Sequence, residues 1–147
     1  VTSIPVQHGR RFVDFVISSD SLSGADLLDR LGPAGASGET VDDSVGRPGV
    51  PRTFDVGTWA ISSALDPTAS VEAHLVALHG RARAAADRIV SSGDAHVVTG
   101  LLRIVQYLPS SECQGHGFVL EPAWISLLAE VNGVLDVDQY VVDDQDT

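Results

Sequence analysis

The sequence predicts an α+β domain with one mixed, largely antiparallel sheet, elements in the order β-α-β-α-β-β-α-β, and helices packed on one face of that sheet. Three observations carry the expectation. Apolar residues recur with a helical period through residues 70–91, and apolar and polar residues alternate in strands near 12–18, 53–63, 97–108 and 134–142. The size and composition, 147 residues with 44% apolar and 20% charged, are those of one globular domain. A chain of this length buries roughly two thirds of its unfolded surface and needs no disulfide to fold. The domain is expected over residues 10–142, with 1–9 and 143–147 as flexible ends.

The first strand is expected over Phe12–Ser18, where Val13, Phe15 and Ile17 share a face and Asp14 takes the other. Arg10 and Arg11 are assigned to the arm before it. Ser23 followed by Asp26 has the spacing of a capping box, and Leu22 with Leu27 that of a hydrophobic staple, so a short helix starts there and stops at Gly32-Pro33. From Gly32 to Arg52 the chain holds five glycines and three prolines without apolar periodicity, which predicts a long surface loop. Strand character returns over Thr53–Ser63, with Trp59 and Ile61 on one face and Phe54, Val56, Thr58 and Ala60 on the other.

The helix expected over Ser70–Ser91 carries Val71, Leu75, Leu78, Ala82, Ala85 and Ile89 on one stripe. A second line of small residues, Ala73, Ala77, Gly80 and Ala84, would let another backbone approach and so offers a homodimer contact through this helix. Val97–Leu108 reads as a long strand interrupted by Gly100, paired in a hairpin with Phe118–Leu120. Pro122 suits a first helical turn, and Trp124, Leu127, Leu128 and Val131 give the last helix its apolar side before Asn132-Gly133 ends it. Val134–Val142 is the last strand.

Net charge is −11 and the pI is near 4.5, so a nucleic-acid duplex, whose phosphates require a positive surface, is excluded as a partner, and a basic protein is favoured. No apolar run approaches the ~20 residues that span a bilayer. The opening Val1–Val6 lacks the charged-then-apolar layout of a signal peptide, and Cys113 is a lone cysteine, so the expected setting is the cytoplasm. All nine basic residues are arginine, as in chains encoded by GC-rich genomes.

Cys113 and His116 have a spacing that metal sites use, but a structural zinc needs four ligands and no second pair follows. No metal or cofactor is therefore expected, and chelator should leave the melting temperature unchanged. Glu72, His79 and Arg83 lie along one helix flank, as a solvated flank would. The glycines between Gly32 and Gly49 fit neither the Walker nor the dinucleotide spacing.

The strongest constellation lies on the sheet. If helices cover Val13, Phe15, Ile17, Leu135, Val137 and Val141, alternation puts Asp14, Asp136, Asp138 and Tyr140 on the opposite face, with Arg103 and Tyr107 joining them. Asp136 and Asp138 would project about 7 Å apart, with Asp138 facing Arg103 across strands.

Gly57-Thr58-Trp59-Ala60-Ile61-Ser62-Ser63, Val71-Glu72-Ala73-His74-Leu75, and Phe118-Val119-Leu120 leading to Leu135-Asp136-Val137-Asp138-Gln139-Tyr140 occur in that order, after the Ser23–Gly32 helix and Gly38-Glu39. Over residues 11–142 the chain thereby resembles the bacterial family known as domain of unknown function 4279. That resemblance implies no catalytic residue. The expected function is a non-enzymatic protein-binding module, of the kind that neutralises a toxin, acting through Asp14, Arg103, Tyr107, Asp136, Asp138 and Tyr140 or through the long loop. The alternative is a small-ligand-binding protein or enzyme with its pocket under the 32–52 loop.

Overall fold

A computed structural model describes residues 9–33, 40–44, 56–112 and 117–143. It contains β1 (Arg10–Ser19), α1 (Gly24–Leu31), β2 (Thr40–Ser44), β3 (Val56–Ser62), α2 (Val71–Ser91), β4 (Thr99–Pro109), α3 (Pro122–Glu130) and β5 (Val134–Val142). The strands form one mixed sheet in the order β2-β3-β1-β4-β5. β1 is central and antiparallel to both β3 and β4, β2 is antiparallel to β3, and β5 runs parallel to β4. The parallel pair follows from the connection: α3 carries the chain back along the sheet, as a parallel return requires. The expected fold class is the one observed.

Alternation decides which side of the sheet is buried. Val13, Phe15 and Ile17 of β1 join Trp59 and Ile61 of β3 and Leu102 and Ile104 of β4 in one cluster with all three helices. The predicted stripe of α2 is its floor-facing side, with Val71, Leu75, Leu78, Ala82, Ala85 and Ile89 all buried. Trp124 of α3 packs at 6.1 Å from the Phe15 ring, and its indole N–H donates to the Leu75 carbonyl at 3.3 Å, so the one polar atom of that side chain is satisfied in the core.

The local signals at helix ends act as their chemistry predicts. The Asp26 amide donates to Ser23 Oγ at 3.1 Å and the Ser23 amide to Asp26 Oδ2 at 3.0 Å, which closes the capping box of α1. At the end of α3, Asn132 takes a left-handed backbone, φ 52°, and the Gly133 amide returns to the Leu128 carbonyl at 2.6 Å. Gly100 is no interruption of β4. A Cβ there would lie 2.4 Å from Val131 Cγ2, so its bare backbone admits the end of α3 against the sheet, and its amide donates to the Val131 carbonyl at 2.8 Å.

Four expectations are corrected. Arg10 and Arg11 belong to β1 rather than to an arm, because the alternation of Val13, Phe15 and Ile17 extends two residues further back. The stretch read as one loop contains β2, which pairs antiparallel with β3. Phe118–Leu120 makes no strand, and β4 pairs with β1 and β5 in place of the expected hairpin. Leu135, Val137 and Val141 do lie on the helix side of β5, yet they are 41%, 39% and 62% exposed. β5 is an edge strand, and the three helices pack over β1, β3 and β4 without covering it. Of the expected flexible ends at 1–9 and 143–147, residues 1–8 and 144–147 lie outside the described residues.

Candidate functional site

The face opposite the helices is where the expected binding residues meet. Register places Arg103 of β4 between Asp14 of β1 and Asp136 of β5, and Tyr107 between Arg10 and Tyr140. All six expected residues, Asp14, Arg103, Tyr107, Asp136, Asp138 and Tyr140, share this face. Asp138 faces Val105 rather than Arg103, which corrects the expected cross-strand pair: parallel register sets Asp136, two residues earlier, opposite Arg103.

Tyr107 and Tyr140 stack, their ring centroids 5.2 Å apart and their planes 18° from parallel. Phe12 meets Tyr107 edge-on at 6.1 Å, and the Arg10 guanidinium sits over the Tyr107 ring at 5.5 Å. Phe12 is 41% exposed and Tyr140 49%, so a contiguous aromatic patch faces outward. Sequence reasoning missed Arg10 and Phe12, although both share the parity of Asp14 on β1; starting the strand at Phe12 concealed Arg10.

Among the described residues, no ion pair forms around this patch. The ion pairs among the described residues are Arg30–Asp94, Arg83–Asp87 and Arg83–Glu130, none of them on this face. Burial pushes the Asp14 carboxyl above the ordinary carboxylate range, and the Arg103 charge pulls the other way.

The helix side holds smaller features. Ser63 Oγ hydrogen-bonds His74 Nδ1 inside the core, and His74 Nε2 has no hydrogen-bond partner among the described residues. A serine and an imidazole in contact suggest nucleophilic chemistry, but both are buried, and neither lines any of the cavities described below. Burial, aided by the Arg11 charge, holds the imidazole pKa below its usual value, while the backbone and carboxylate of Asp66 oppose this less strongly. The folded protein then binds fewer protons than the unfolded chain just below pH ~6.5, so His74 should stabilise the fold above that pH and less as the solution is acidified. Denaturant titrations at pH 7.5 and 5.5 (about one unit either side of that value) should show a loss that is smaller in His74→Asn. A partly buried Asp14 contributes with the opposite sign and is common to both proteins.

A cavity of about 300 Å³ between α2 and α3 is lined by Glu72, His79 and Trp124, with the His79 and Trp124 rings edge-on at 5.2 Å. Arg83 does not complete a ladder with Glu72 and His79, because Asp87, at 2.5 Å, and Glu130 hold its guanidinium. A second cavity, about 160 Å³ and lined by Pro33, Trp59 and Arg81, lies where the 32–52 segment begins. Residues 34–39 and 45–52 of that segment, under which a pocket is expected, lie outside the described residues. The third, about 200 Å³, lies at the N-terminus of α2. The small-residue line of α2 is turned to solvent at Ala77, Gly80 and Ala84. Cys113 and His116 lie outside the described residues, and among the described residues no group of three or more His, Cys, Asp or Glu could hold a metal ion. Among them, too, no helix is long and apolar enough to cross a membrane.

No curated protein and no solved structure matches the chain. The family model described as domain of unknown function, DUF4279, matches residues 8–142, nearly the whole chain. The protein belongs to the DUF4279 family.

Proposed function

We propose that this chain is a non-enzymatic protein-binding module whose docking surface is the open sheet face. The observation that supports it best is the outward aromatic patch of Phe12, Tyr107 and Tyr140 beneath Arg10, ringed by charges without direct ion-pair partners. Aromatic and arginine side chains are enriched where protein partners are desolvated, and a rim of charge sets orientation and selects against the wrong partner. Three carboxylates against two guanidinium groups among the described residues of β1, β4 and β5 on the face, in a chain of net charge −11, favour a basic partner. Neutralising a basic toxin in the cytoplasm is the role to which such a module is suited.

Replacing Asp136, Asp138 and Tyr140 together with Asn, Asn and Ala should leave the unfolding midpoint close to that of the wild type, since none of them is buried. Partner capture at matched salt should fall by about tenfold or more, the loss expected when an aromatic anchor and two rim charges go together. Equal capture by both proteins would remove the sheet face from the account.

A further inference from the structure

The cavity at the start of α2 lies on the opposite side of the sheet from the proposed docking face, and its lining is mostly polar. Its floor is Arg11 of β1 and Gln106 of β4, directly opposite one another in register. Its wall is the first turn of α2, with Ser70, Val71 and Glu72, and Thr68 precedes them.

Two features of this cavity are independent of each other. The first turn of a 21-residue helix leaves its leading amides without intrahelical acceptors; Ser70 Oγ takes the Ala73 amide, and the Val71 and Glu72 amides remain. Those amides and the helix dipole favour negative charge. The second feature is Gln106, 1% exposed, whose side-chain Nε2 has no acceptor among the described residues. Burying a donor without an acceptor costs free energy, so a buried amide left open beside a cavity points to a group that completes it. Arg11 adds positive charge at the same floor, with Nη1 donating to the Gly9 carbonyl at 3.4 Å. Glu72 is the one acidic side chain of this lining and is exposed at its mouth.

We propose that this cavity binds the carboxylate of a small amino-carboxylate ligand. The carboxylate oxygens accept from Gln106, from the Val71 and Glu72 amides and from Arg11, and the ligand's ammonium group faces Glu72. A doubly charged anion meets Glu72 without compensation, so phosphate is disfavoured. At about 200 Å³ the space suits a ligand of few heavy atoms rather than a nucleotide.

The test is an amide NMR titration of the full chain with glycine, acetate and inorganic phosphate at constant ionic strength. Glycine should give saturable shifts at Val71, Glu72 and the Gln106 side chain at millimolar concentration, acetate weaker ones, and phosphate the weakest. Gln106→Leu should fold, since it removes an unpaired buried amide, and should weaken glycine about tenfold or more. Arg83→Gln, on the far part of α2, should not weaken it. In Glu72→Gln the preference for glycine over acetate should disappear. Absence of saturable shifts, phosphate binding tightest, or Gln106→Leu binding glycine as the wild type does would each overturn the proposal.

Discussion

Leu78→Ala is expected to destabilise the protein by about 2–5 kcal/mol, while Val76→Ala, two residues away on the same helix, should change stability by less than about 0.5 kcal/mol. Leu78 is fully buried at the centre of the α2 stripe, and Val76 is 78% exposed. Truncating Leu78 removes the transfer free energy of three heavy atoms and leaves a void. Phe15, Ile61 and Leu102, fully buried side chains of the same cluster, belong to a sheet that cannot collapse inward. In a chain of this size each kilocalorie moves the melting temperature by roughly 2–4 °C or a little more. Urea titrations of the two variants should therefore separate widely. Equal midpoints would mean that the α2 stripe does not carry the core.

Gly57→Ala should be at least as damaging, about 3 kcal/mol or more, although it adds a single methyl group. A Cβ at Gly57 would lie 2.2 Å from the Leu22 carbonyl oxygen, 2.5 Å from the Ser23 carbonyl carbon and 2.8 Å from the Gly24 amide nitrogen. Every one of those atoms is backbone, so no side chain can swing aside, and the capped start of α1 must lift away from β3. Gly80→Ala is the matched control. Nothing lies within 4 Å of its Cβ position, and in a helix interior the change should stabilise by about 0.5–1 kcal/mol. Thermal unfolding of the pair should show opposite signs. A neutral Gly57→Ala would contradict the close approach of α1 to the sheet.

What could be read from the sequence follows from what each pattern physically encodes. The period of α2 and the Ser23–Asp26 box are local: one face must be buried and one set of amides must be capped, and both outcomes are set within a few residues. Parity along a strand is equally local, so the sorting of Asp14, Arg103, Tyr107, Asp136, Asp138 and Tyr140 onto a common face was legible before any strand order was known.

Neighbour relations were not legible. Alternation in Leu135–Val141 looks the same whether a strand is central or at an edge, and only the tertiary arrangement shows that the helices stop short of β5. β2 reads Thr-Val-Asp-Asp-Ser between glycine-rich stretches, with no apolar face to announce it; backbone hydrogen bonding to β3 makes it a strand. The facing of Arg103 with Asp136 rather than Asp138 depends on the β4–β5 register, which the α3 connection sets. Of the carboxylate cavity, Arg11, Glu72 and Gln106 come from three elements far apart in sequence, and no spacing joins them.

The central claim is that the open sheet face is what a partner covers. Hydroxyl-radical footprinting of the chain, free and in complex with a captured partner, measures that coverage at the side chains themselves. The expected result is strong protection of Phe12, Tyr107 and Tyr140 in the complex, with Val76 and Val119 on the helix side labelled as in the free protein. Protection of Val76 and Val119 with unchanged labelling of Tyr107 and Tyr140 would contradict the account and move the docking surface to the α2–α3 side of the molecule.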